Sequence, residues 1–163
     1  MSKKIIICLS IFFSLAISRL IPHPPNFTNL IALSFYIPVF LGVRYLPVLL
    51  LSFALTDFII GYHLTTHWTW GSIFLIGLLA KFVPNNVALR LAGASLSSLI
   101  FFVITNFGVW TSGLYEQTFA GLQKCFILAL PFFQANLIST LIFSIFFEIA
   151  YKLIKSFFLF KKI

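Results

Sequence analysis

Polar residues are sparse along this chain and fall in clusters. The apolar stretches between them predict six helices, at about residues 4–20, 29–43, 47–61, 70–83, 88–106 and 124–154. The first two stretches are separated by Arg19-Leu20-Ile21-Pro22-His23-Pro24-Pro25-Asn26-Phe27-Thr28, which holds three of the seven prolines. Each proline fixes its φ, lacks an N–H and pushes its predecessor towards extended geometry. The segment 19–28 is therefore predicted to be a stiff lid carrying Arg19, His23 and Asn26. Residues 107–123, with Gly108, Trp110, Gly113, Tyr115, Glu116 and Gln117, read as a turn followed by a short helix lying in the membrane interface, aromatic face down.

Composition turns this pattern into a membrane protein. Of 163 residues 61% are hydrophobic and 22 are Phe, with a mean hydropathy of +1.09, so there is too little polar surface to cover a soluble globule. No linker, repeat or charged block marks a second domain, and residues 1–163 read as one integral membrane domain. The net charge of +8 would point a soluble protein towards nucleic acid, but here the cations lie between apolar stretches and fit membrane orientation better. A basic start followed by an apolar run is also the pattern of a secretory signal, but this run passes straight into the proline segment and more membrane.

Six helices place both termini on one side. Lys3, Lys4, Arg44, Lys81, Arg90, Lys152, Lys155, Lys161 and Lys162 then share that side, against Arg19 and Lys124 opposite. The positive-inside rule makes the terminal side cytoplasmic. The basic tail also suits anionic lipid. Glu148 and Lys152, four apart, read as a helix-surface pair.

The outer side collects Arg19, His23, Asn26, Asp57, His63, His67, Asn106, Trp110, Tyr115, Glu116 and Gln117. An acid placed like Asp57 has to be paired, neutralised or wetted inside a membrane. It is either a functional group or an interfacial acid at a helix end, and pairing with Arg19 as a structural tie is a further alternative. His63 and His67 would share a face if helical, the spacing of a metal pair, but no third ligand is near in sequence. Tyr62, Trp68 and Trp70 look like an interfacial aromatic belt. Ser10, Ser14 and Ser18 recur at intervals of four, so a neighbouring helix can approach there. Cys8 and Cys125 have neither metal-like nor redox-like spacing. An intramembrane enzyme built on Ser72, His63 and Asp57 has no Gly-x-Ser-x-Gly frame to support it, so no enzyme is expected.

Short helices, small residues on the first of them and substantial outer loops resemble the substrate-binding S components of energy-coupling-factor (ECF) transporters. More specifically, several motifs resemble a family of small, uncharacterised bacterial membrane proteins grouped with S components. They are Arg19 with Pro22 to Thr28, Ser52 with Asp57, Thr105-Asn106-Phe107-Gly108-Val109-Trp110, Gly121-Leu122 with Cys125, and Pro131-Phe132-Phe133 with Asn136. The resemblance implies an S-component-like bundle in the bacterial inner membrane with an outward pocket for a vitamin, its precursor or a metal. It further implies an ECF transmembrane partner and ATPases, since the chain has no Gly-x-x-x-x-Gly-Lys loop. Serines stand where S components usually carry partner-facing alanines, with Ser10 and Ser14 as the expected partner face, and the chain is short for the class.

The expected function is thus capture of a small molecule at Arg19, His23, Asn26, Asp57, His63, Asn106, Trp110 and Tyr115. Arg19 would hold an anionic group, amides and histidines would set orientation, and aromatic faces would stack on a ring. No cofactor, resident metal or nucleic acid is implied. The alternative is a structural or assembly subunit without a ligand.

Overall fold

In the computed structural model, which describes residues 3–160, the chain forms α1 (Lys3–Leu20), α2 (Leu30–Leu41), α3 (Leu46–Ile60), α4 (Thr66–Ala80), α5 (Val87–Val109) and α6 (Phe119–Phe160). A 3-10 turn, Val43–Tyr45, leads into α3, and a wide turn, Trp110–Leu114, follows α5. No strand occurs among the described residues. Lys161 and Lys162, counted with the cytoplasmic side, lie outside them.

The centre pole is α2. Its residues Leu30 to Pro38 are all buried, and α3, α4, α5 and α6 all pack on it. A helix apolar on every side is the kind that other helices surround. On its flank, α1 packs against α3, while α5 and α6 form the most extensive helix pair.

Local chemistry sets the ends. Pro22, Pro24 and Pro25 follow the last turn of α1, where they cannot donate the next helical bonds. Pro47 is tolerated in the first turn of α3, where its missing N–H has no partner to lose. At the other end Gly61 adopts φ 111° and donates to the Asp57 carbonyl at 2.7 Å, closing α3 in a conformation only glycine takes without strain. The Asn86 side chain accepts from Leu89 N–H at 3.1 Å and caps the start of α5.

Three stretches are long and apolar enough to cross a membrane: Val43–Ile60, Val87–Leu114 and Phe119–Phe157. α2 and α4, of 12 and 15 residues, are shorter than the ~20 residues of a typical span. α1 has 18 residues but carries Lys3, Lys4 and Arg19. α6, at 42 residues and about 1.5 Å per residue, is roughly twice as long as a ~30 Å hydrocarbon core is thick.

The interfacial helix expected within 107–123 is not a separate element. α5 runs on to Val109 and α6 begins at Phe119, so the segment divides between two long helices and the turn joining them. The break expected from residue 107 does not come there: Gly108 lies inside α5, where an added Cβ would fall 2.3 Å from the Trp68 ring. The glycine there makes room for an indole.

Candidate ligand-binding hollow

Arg19, in the last turn of α1, reaches across to α3 and forms an ion pair with Asp57 at 2.6 Å. It also donates to the Thr56 hydroxyl and, at 3.4 Å, to the Phe53 carbonyl, and its guanidinium lies 4.4 Å from the centre of the Phe53 ring. The second carboxylate oxygen of Asp57 accepts from the Trp70 indole N–H of α4 at 2.6 Å. Asp57 is only 3% exposed, and such a buried charge persists because both of its oxygens are engaged. One carboxylate therefore ties α1, α3 and α4 together.

A second tie joins α1 to α2. Asn29, buried just before α2, donates from its amide nitrogen to the carbonyl and hydroxyl of Ser14, both at 3.0 Å, and accepts from the Ser18 hydroxyl at 2.7 Å. Ser14 thus serves a residue of its own chain, whereas Ser10 remains exposed with its hydroxyl on the Ile6 carbonyl. The four-residue serine spacing was readable in the sequence; Asn29 was the residue it served.

Beside the Arg19 tie lies a hollow of about 290 Å³, near the small end of the range for ligand pockets. Its polar lining comes from Arg19, His23, Asn26, His63 and Asn136, and its apolar wall includes Phe53 and Phe101. The proline segment turns over it: Phe27 N–H bonds the Pro24 carbonyl at 3.0 Å, and Asn26 takes φ 61°, a left-handed conformation that Asn tolerates better than most residues. His23 is fixed by its Nδ1, 2.7 Å from the Pro24 carbonyl; an acceptor there means that Nδ1 carries the proton. His63 lies across the hollow, with Nδ1 3.0 Å from the Thr65 hydroxyl. Asn136 contributes from the middle of α6, far along the chain from the lid; its motif with Pro131-Phe132-Phe133 carried the family resemblance, but it was not among the expected site residues.

The remaining candidates lie elsewhere. Asn106 points its amide back to the Phe102 carbonyl at 2.7 Å within α5. Trp110 donates to the Glu116 carbonyl at 3.0 Å, and the Gln117 amide bonds the Trp110 and Tyr115 carbonyls, so Trp110, Tyr115 and Gln117 hold the α5–α6 turn. None of Asn106, Trp110 and Tyr115 lines the hollow. His63 precedes α4 while His67 lies inside it, so the two do not share a helix face. Among the described residues no three His, Cys, Asp or Glu side chains gather where a metal could sit. The Ser72 hydroxyl donates to the Thr69 carbonyl at 2.8 Å rather than to His63 or Asp57. Cys125, 2% exposed, places its thiol 3.4 Å from the Asn106 carbonyl.

At the other end of the bundle, Glu148 pairs with Arg90 and not with Lys152. Two parallel bonds of 2.6 and 2.7 Å join the guanidinium to the carboxylate, and Arg90 also donates to Asn85 at 2.6 Å. A fork-to-fork pair across the α5–α6 interface outcompetes a solvent-exposed partner one turn away on the same helix.

Neither a curated protein nor a solved structure matches the chain. The chain matches the family of unknown function DUF6580 over residues 1–161, and belongs to that family.

Proposed function

We propose that this protein is a membrane-embedded binding protein that captures a small molecule in the hollow beneath the proline lid, as the substrate-binding part of an S-component-like transport system in the bacterial inner membrane. The observation that carries this reading is the hollow itself: polar side chains from three separate parts of the chain, Arg19 to Thr28, His63 with Thr69, and Asn136, converge on about 290 Å³. Polar groups that converge on a concave site mark a place where something polar is held.

Because Asp57 already neutralises Arg19, the ligand that fits best is a small uncharged ring with several hydrogen-bonding groups. His23, Asn26, His63 and Asn136 would contact it directly, with Arg19 as the rigid floor and Asp57 holding Arg19 in place. α1, α2 and α4 would cross the membrane alongside the three longer spans, placing the hollow outside and both termini in the cytoplasm. The charge segregation of nine cations against two supports that orientation. An energising partner with ATPases would drive release, and no chemistry on the ligand is expected.

A thermal-unfolding screen of the detergent-purified protein against water-soluble vitamins and their precursors tests the reading. One class should stabilise the wild type and leave a His63→Ala/Asn136→Leu variant unmoved; a ligand at about 100 times its Kd contributes about 2.7 kcal/mol. No stabilisation by any compound, or equal stabilisation of both proteins, would count against capture.

A ligand-free assembly subunit is the second reading. The completeness of the Arg19–Asp57–Trp70 tie favours it, since those groups already satisfy one another. Under that reading the same double variant keeps its partner and loses nothing.

A further inference from the structure

Buried hydroxyls in this bundle follow one rule, with exceptions confined to one place. Ser34, Ser52, Thr56, Ser72, Ser97 and Ser139 each donate to a carbonyl three or four residues back in their own helix. This is the ordinary way for a membrane helix to satisfy a hydroxyl. Ser98, Thr140 and Ser144 do not, although each is fully buried, and neither does the buried phenol of Tyr36. Among the described residues Ser98 of α5 and Thr140 of α6 have no hydrogen-bond partner, whereas the Tyr36 phenol, with no bond of ordinary geometry, lies within reach of Ser144 and Glu148, where α2, α5 and α6 pack together.

Their order along the helices is regular. Asn136, Thr140, Ser144 and Glu148 follow one another at intervals of four on α6 and so form one stripe. The Arg90–Glu148 bridge fixes the antiparallel register of α5 against α6. Ser98 lies eight residues after Arg90, and Thr140 eight before Glu148, so they sit at the same level. Tyr36 of α2 fills the next layer, facing Ser144 and Glu148. The stripe opens at both ends. Asn136 lines the hollow under the lid, and Glu148 lines a cavity of about 430 Å³ at the opposite end with Asn85, Lys152 and Lys155. From Asn136 to Glu148 the rise is about 18 Å at about 1.5 Å per residue.

We propose that this seam is a proton pathway that carries protons from the lid-side hollow to Glu148. Hydroxyls both donate and accept, and buried hydroxyls without protein partners are the ones that hold water. A proton arriving as hydronium at Asn136 is passed along the file of hydroxyls and bound water, each oxygen taking one proton from above and releasing its own below. The Glu148 carboxylate receives the last of these and gives it up to water in the cavity beside Lys152 and Lys155. Only O–H bonds are made and broken, no electrons are transferred, and the net result is one proton moved. Charged or titratable groups surround Glu148 from each element packed there: Arg90 from α5, Tyr36 from α2, and Lys152 and Lys155 along α6, while Tyr151 faces Arg90. The Arg90 fork occupies both carboxylate oxygens and has to open before Glu148 can take a proton, so the bridge acts as the gate. Phe40, whose ring centre is 5.3 Å from the guanidinium and 4.0 Å from the stacked Tyr151 ring, closes over it. The pathway stands whether or not the hollow takes a ligand.

Proteoliposomes containing a trapped pH-sensitive dye, driven by a potassium diffusion potential with valinomycin, test this directly. Wild-type protein should admit protons faster than protein-free vesicles, Ser98→Ala/Thr140→Val should slow entry at least tenfold, and Glu148→Gln should abolish it. Ser97→Ala, which removes a hydroxyl bonded within its own helix, should leave entry unchanged. Should Glu148→Gln not fold, the Ser98/Thr140 double variant, with its melting temperature checked, decides the matter alone. Wild-type flux no greater than that of empty vesicles, or equal flux in the double variant, overturns the proposal.

Discussion

Asp57 accepts from α1 with one oxygen and from α4 with the other, and few single atoms in the chain hold so much together. Asp57→Asn leaves Arg19, part-buried against Phe53, without its counter-ion, and breaking one side of a buried ion pair costs about 3–5 kcal/mol, the lower end suiting a pair with one partly exposed member. Denaturant unfolding in detergent should show a loss of that size, whereas Trp70→Phe, which removes one hydrogen bond to a charged group, should cost about 1.5–3 kcal/mol. His23→Ala, on an exposed side chain of the lid, should leave stability unchanged, and Asn26→Ala should cost only about 1 kcal/mol, because alanine suits φ 61° less well. Equal losses at all four positions would mean that the hollow is part of the packing. The sequence marked Arg19 and Asp57 because charges are rare in it, and raised their pairing as one alternative. It could not mark Trp70 as the third member, because an indole near a helix end reads as interfacial belt wherever it points.

At the scale of elements, the end of α1 was readable from its prolines, since three of them in a row of four leave no donors for a helix. The α5–α6 junction was misread because Asn106, Gly108, Gly113 and Gly121 look like breakers in isolation. Each has a different task, Gly113 taking φ 83° within the turn itself. Asn106 satisfies its amide within its own helix, Gly108 admits Trp68, and Gly121 is buried where an added Cβ would lie 2.0 Å from the Glu116 carbonyl oxygen. A backbone atom cannot rotate aside, so Gly121→Ala should open the turn and lower stability by about 1–3 kcal/mol, visible as a reduced melting temperature. A wild-type melting temperature in this variant would show that the turn is looser than drawn. Helix propensity was a weak guide here, because burial and close approach between helices decide where such residues sit.

For the whole molecule, hydropathy alone identifies three membrane-crossing stretches, and the other helices are short or carry cations at their ends. The all-helical, apolar character was legible from composition, whereas the central place of α2 was not. The way distant residues meet was not, because Asn136 and His63 are brought to one hollow only by the antiparallel packing of α6 on α5 and α2. Six crossings predict that Thr65→Cys, near the lid, reacts in intact cells with a membrane-impermeant thiol reagent, in a background lacking Cys8 and Cys125. Asn85→Cys, at the opposite end, should react only after permeabilisation. Labelling of both from outside would contradict the orientation.

Capture of a small molecule beneath the lid is tested most directly by mass spectrometry of what the purified protein releases on denaturation. A single small polar compound, close to one per chain in the wild type and depleted in His63→Ala/Asn136→Leu, is the predicted result. The same compounds in the same amounts from both proteins, or none from either, would contradict it.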